Sequence, residues 1–276
     1  MQTATRELTR CQARLRRSPG AALLVLFLLL GGAGCRAVPT TPRVIYLEGS
    51  GWFTSASSVR SGLRSAGYPG AFETFTWTTF LGAGADHLVG ARSPARARRL
   101  AQRIEEIRRH NPGGRIDLIA LSAGTSVVIG ALERLPDGVA VDNVVLLSSS
   151  LSARRNLCPA LRHVRRRLYA TCSEQDVILR NLPVTADGQT APAAGCRGFV
   201  LPDGLPLRDE RLYARVVNLP WRPAYLAYGW NGGHVRVTTA DFIRSVIAPR
   251  LLAEEPFPLD RPMVPGRAPG GHHRGG

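Results

Sequence analysis

Ser122, Asp176 and His234 occur in an order and in local settings that suit covalent acyl chemistry. A neutral serine hydroxyl is a poor nucleophile. It attacks a carbonyl carbon only when an imidazole takes its proton and a carboxylate orients that imidazole and stabilises its cation. Ser122 sits in the run Ile116 to Val128, where a short apolar stretch gives way to Val127, Val128, Ala131, Leu132 and Leu135 at helical spacing. Ala120 and Gly124 flank the serine two positions away on either side, leaving room for a strand and a helix to approach closely at a sharp turn. Each residue also has a plain structural reading. A serine after a strand can simply cap a helix, and Asp176 can be a turn-forming carboxylate, with Glu174 as the nearest substitute acid. His234 stands in a glycine loop, Gly232-Gly233-His234; His87, His110 and His163 lie where they fit such a site worse, and His272 and His273 fall in a Pro/Gly tail.

These side chains need a scaffold that brings distant segments to one edge, and the pattern of the chain predicts it. Arg43 to Glu48 reads as a buried strand ending in Gly49-Ser50-Gly51, followed by a helix over about 55–66. Phe72 to Trp77 alternates as a strand, and Ser93-Pro94 opens a long amphipathic helix. The Ser122 strand and helix come next. Val141 to Leu147 is a fourth strand, a helix is expected over 152–165, a fifth strand ends near Cys172, and a last one runs from Tyr213 to Leu219 before a closing helix, Thr238 to Leu252. Such alternation predicts an α/β fold: a mostly parallel sheet of about six strands with helices on both faces. Residues 181–210, rich in Pro, Gly and Asp, are expected to form a lid or substrate wall over the carboxyl ends of the strands, and 78–92 a second loop there.

The 276 residues suffice for one full core. The net charge of +16 comes from 36 basic residues, and all of them are arginine. Together with abundant Ala, Gly and Pro, this points to compositional bias rather than to a binding surface. The arginines follow helix faces and loops without interleaved aromatics, which argues against nucleic-acid binding.

At the N-terminus, Arg10, Arg14, Arg16 and Arg17 precede the apolar run Ala21 to Leu30 and then Gly31-Gly32-Ala33-Gly34-Cys35. Residues 1–34 therefore read as a secretory signal, with an apolar run too short for a permanent membrane span. The small residues before Cys35 resemble the lipobox of bacterial lipoproteins, which implies lipidation of Cys35. The rest reads as a linker over 35–42, a folded domain over 43–254 and a tail over 255–276 whose Pro/Gly/Arg/His composition, without apolar period, predicts disorder. The mature chain would carry +12. Cys158, Cys172 and Cys196 would then face an oxidising compartment as one disulfide and one free thiol, in a pairing that spacing leaves open. No ligand spacing suggests a metal site.

From Arg43 to Leu252 the chain resembles a compact member of the α/β-hydrolase superfamily, on its A-x-S-x-G turn and its Ser, Asp, His order. The resemblance implies Ser122 as nucleophile, His234 as general base and Asp176 as its orienting acid. It also implies an oxyanion hole from the backbone amides of Ala123 and Ser50, since Glu48-Gly49-Ser50 occupies the position of the family's His-Gly-x segment. No cofactor is implied. The substrate would be a carboxylic ester, a small molecule or lipid-like, met by an exported protein that its lipid anchor holds at a membrane; peptidases and acyltransferases share the triad. The competing reading is a non-catalytic surface lipoprotein that uses the fold as a binding or scaffold module.

Overall fold

The computed structural model describes residues 40–51, 54–79, 82–254 and 260. The signal segment, Cys35 and all of the expected tail but Asp260 lie outside the described residues. Six strands form one sheet: β1 (Arg43–Leu47), β2 (Ala71–Thr74), β3 (Ile116–Leu121), β4 (Val141–Leu147), β5 (Val164–Cys172) and β6 (Val216–Pro220). Their spatial order is β2-β1-β3-β4-β5-β6, and every neighbouring pair is parallel. All six carboxyl ends therefore share one edge.

Toward their carboxyl ends the central strands β3 and β4 are apolar on both sides because both faces of the sheet are covered. Alternation along them divides the core. Ile45, Leu47, Leu118, Ala120, Val144 and Leu146 face one cluster, filled by Leu100 and Ile104 of helix α2 (Pro94–His110) and by Val127 and Val128 of α3 (Gly124–Leu132). Val44, Tyr46, Ile119, Leu121, Val145 and Leu147 face the other, filled by Val59 and Leu63 of α1 (Ala56–Ser65) and by Phe242, Ile243 and Ile247 of the closing helical segment. That segment runs Ala240–Phe242, a π turn at Ile243–Ile247, then Ala248–Leu252. One acid interrupts β3. Asp117 is fully buried, accepts from the Tyr68 hydroxyl (2.8 Å) and Asn143 Nδ2 (2.9 Å), and pairs with Arg115 at 3.1 Å.

The expected helix over 152–165 is only four residues long, α4 (Cys158–Leu161). Residues 148–153 instead bond as irregular chain to the 184–200 segment, through Ala186 N–H to Ser150 O, Ala153 N–H to Pro192 O and Ala194 N–H to Leu151 O. Arg165, Arg166 and Arg167 lie at the start of strand β5, where Arg166 and Arg167 donate to the carbonyls of Ala253 and Ala214. The last strand starts at Val216 because Arg211–Arg215 forms a 3-10 turn. At the C-terminal end Asp260 accepts from Arg250 Nε at 3.0 Å and Nη2 at 2.7 Å, so the packed chain reaches past the closing helix.

Candidate active site

Ser122 is one of two non-glycine residues with positive φ among the described residues, at 53°. A left-handed conformation costs an L-residue roughly 1–2 kcal/mol and persists only where the surroundings impose it. Here they do so at both ends. The Ser122 N–H continues the ladder to Leu147 O (2.9 Å), while its carbonyl already accepts from Thr125 N–H (3.1 Å) as the chain enters α3. One residue must therefore turn a strand into a helix. The Ser122 side chain is nearly buried, and its hydroxyl makes no hydrogen bond with any described residue.

Gly124 is needed at this turn, because a Cβ there would collide with the backbone oxygen of Glu48. Ala120, by contrast, points its methyl into the α2/α3 cluster and is fully accommodated. Gly49 packs on the other side of the serine, where an added Cβ would stand 3.2 Å from Ser122 Cβ. The segment that continues into Ser50 thus passes directly beside Ser122, and Ala123 follows it at the start of α3.

Glu48 holds that segment closed, a role that the sequence did not reveal. Its Oε2 accepts from Ser55 Oγ (2.6 Å) and Tyr46 Oη (3.3 Å), and its Oε1 accepts from Ala56 N–H (2.8 Å) at the start of α1. Trp77 Nε1–H donates to the Glu48 carbonyl at 2.8 Å. One carboxylate therefore ties the end of β1 to the start of α1. Burial, and then the nearby Glu48 charge, hold the Tyr46 hydroxyl well above its ordinary pKa, so it stays protonated beside the carboxylate. The available signal was an acid placed eight residues before the first amide of a helix, which favours negative charge at its N-terminus.

Two strands away on the same edge, Asp176 leaves β5 through a short turn and caps α5 (Val177–Arg180), with Oδ1 accepting from Leu179 N–H at 3.0 Å. Its other oxygen, Oδ2, lies 2.7 Å from His234 Nδ1, and both residues are buried. With Nδ1 bonded to the acid, the imidazole keeps Nε2 for other work. The loop that delivers His234 is set by aromatic packing. Trp230 is fully buried, stacks on Tyr225 (5.7 Å), meets Phe242 edge-on (4.8 Å) and donates to Gly233 O at 3.2 Å. Gly232 (φ 85°) lies so close to Ser173 Oγ that a Cβ would stand 2.8 Å from it, which brings the histidine loop onto the Asp176 turn.

The rival residues do other things. Glu174 is exposed and pairs with Arg197 at 3.1 Å. His87, His110 and His163 donate to the backbone oxygens of Val184, Glu106 and Val139. Residues 181–210 form a wall bonded to the sheet edge, with Thr185, Ala186, Ala194 and Phe199 buried. Among the described residues no group of three His, Cys, Asp or Glu side chains is placed to hold a metal ion, and no helix is long and apolar enough to cross a membrane.

No protein-family model and no curated protein sequence matches the chain. Solved structures that it resembles include lipase B of Aspergillus fumigatus (14% identity, TM-score 0.48, 82% of this chain and 56% of the lipase). A cutinase-like protein from Cryptococcus sp. aligns with 14% identity and TM-score 0.40 over 75% of this chain and 91% of its own. LpqC, a poly(3-hydroxybutyrate) depolymerase from Bordetella parapertussis, aligns with 14% identity and TM-score 0.46 over 78% and 80%. The chain thus spans little more than half the length of the lipase.

Proposed function

We propose that this chain is a serine hydrolase of the α/β-hydrolase type that cleaves carboxylic esters through Ser122, His234 and Asp176. The reading rests on one observation above the others: a strained serine, φ 53°, at a strand-to-helix turn on the same sheet edge as a buried imidazole–carboxylate pair 2.7 Å apart. Backbone strain of this kind clusters at active sites.

In the proposed reaction His234 Nε2 takes the Ser122 proton as Oγ bonds to the ester carbon, and the carbonyl π electrons move onto oxygen. The Ala123 and Ser50 amides receive that oxyanion. Collapse of the tetrahedral species expels the alkoxide, which leaves as alcohol with the proton from His234, and water repeats the sequence to release the acid. Asp176 orients His234 and stabilises the imidazolium. Val177, Ile178 and Leu226 favour an apolar, lipid-like acyl or alkyl group. They are more than half exposed and belong to the segments that carry Asp176 and lead to His234. The N-terminal signal and Cys35 would place the enzyme outside the cytoplasm on a lipid anchor.

Turnover of short-chain nitrophenyl esters by the purified full-length protein tests the assignment. Ser122→Ala should lower kcat by a factor of ~10⁴ or more, and labelling by a fluorophosphonate should be lost on His234→Ala. Unchanged turnover in Ser122→Ala removes the catalytic reading and leaves the fold as a binding module.

A further inference from the structure

The three cysteines of the folded part stand as free, buried thiols, but their surroundings differ. Cys172 ends β5, and Cys196 lies in the short helix α6 (Ala194–Arg197). Ser173 N–H donates to Gly195 O at 2.8 Å, which brings the two flanking cysteines alongside each other. Both line one cavity of about 600 Å³, open at the carboxyl ends of β5 and β6 and shared with Gln175, Arg180 and Trp221. The backbone on the Cys196 side is pinned in place: Gly195 N–H donates to Ser149 O and Ala194 N–H to Leu151 O, each at 2.7 Å. Burial raises the Cys172 thiol to about 12, the Cys196 sulfur adding to the shift, and burial likewise raises Cys196 to about 11. The Cys196 contribution to the Cys172 shift is that of a near neighbour.

Cys158 belongs elsewhere. It opens α4, before the first residue of β5, with Sγ 3.7 Å from Asp209 O. The length of β5, on the order of 26 Å at strand rise, separates that end from Cys172, well beyond the ~7 Å between Cα atoms that a disulfide can bridge.

We propose that Cys172 and Cys196 are a modification site: in an oxidising environment they join as a disulfide that staples the 181–197 wall to the end of β5, enclosing Asp176 in the ring. The oxidant is a small-molecule or protein disulfide. One cysteine thiolate attacks it, forming a mixed disulfide and releasing one thiol. The second cysteine thiolate attacks the protein sulfur of that mixed disulfide and releases the other thiol. The two thiol protons end on the reduced oxidant, so two electrons and two protons leave the protein. Low thiolate fractions make the pair slow to form by exchange in the folded state and suit it to be set during folding. The site is independent of the esterase reading, since its formation requires neither Ser122 nor His234.

Trypsin separates the three thiols, because Arg167, Arg180 and Arg197 bound peptides 168–180 and 181–197, each with one cysteine, and Cys158 falls in 156–162. Full-length protein refolded with oxidised glutathione, alkylated without reduction and digested should yield 168–180 linked to 181–197, lighter by two hydrogens than the free pair, with Cys158 alkylated. Recovery of both peptides singly alkylated, or of a link to Cys158, overturns the proposal. A second measurement compares thermal unfolding with and without reductant. The oxidised wild type should lose about 5 °C or more on reduction, while the double variant Cys172→Ser, Cys196→Ser should not respond. Equal responses in the two proteins would also overturn it.

Discussion

His234 Nδ1 and Asp176 Oδ2 lie 2.7 Å apart although 58 residues separate them in sequence, and their side chains are 4% and 0% exposed. A carboxylate so enclosed must be satisfied on both oxygens, and it is: one meets the imidazole and the other caps α5.

Replacing Asp176 by Asn separates those two functions. The side-chain oxygen can still accept from Leu179 N–H, but the charge facing the imidazole is gone. Ester hydrolysis should show kcat down by ~10⁴ with little change in Tm. Asp176→Ala should lose the cap as well, at about 1 kcal/mol, and melt lower than the Asn variant. A near-native kcat in Asp176→Asn would reduce the pair to a structural tie.

Strain at Ser122 predicts an opposition between stability and activity. Glycine pays nothing for φ 53°, whereas alanine keeps the Cβ that makes it costly. Both variants should be inactive, but Ser122→Gly should melt above Ser122→Ala by roughly 2–4 °C, the shift expected for ~1 kcal/mol in a domain of this size. Equal melting temperatures would mean that the turn stores no strain.

Glu48 should act on the rate without touching substrate. Glu48→Gln leaves one carbonyl oxygen for three donors (Tyr46, Ser55 and Ala56), so Gly49 and Ser50 are held less firmly beside Ser122. Steady-state kinetics should show kcat reduced on the order of 10-fold with KM little changed, a fraction of the loss seen when an oxyanion donor is deleted outright. A rise in KM at constant kcat would place Glu48 in substrate binding instead.

In the edge strand β2, Glu73 gives the fold an acid-sensitive tie. The Arg103 hydrogen bond, aided by the charges of Arg103 and Arg43, outweighs burial and holds its carboxyl below the ordinary 4.5. A lowered folded pKa contributes stability that is whole above the unfolded value and fades as pH falls through the folded one. The Tm gap between wild type and Glu73→Gln should therefore be full above about pH 4.5 and narrow as pH falls below it. A constant gap would show that the interaction is not ionic.

The parts of this molecule that declared themselves in sequence are those governed by local pattern. Residues 118–121 are apolar because both sheet faces are covered, and α2 shows its buried stripe at helical spacing. Asp176 and His234 were legible as order along the chain; their contact depends on Trp230 and Gly232, which no local pattern reveals. The expected helix over 152–165 ran past Leu161 because Leu161, Val164 and Leu168 also suit a helix. Pairing with β4 and β6 decided the matter. Glu48 was opaque for the same reason, since its acceptors matter only once the chain returns at Ser55.

The two small residues around Ser122 are not equivalent, and this bears on how distant relatives of the chain are found. At position 120 a methyl group has a place in the core, so glycine is one choice among several. At 124 the backbone of Glu48 occupies the space. A search that demands glycine on both sides of the serine passes over this protein, and one that relaxes only the first position retains it.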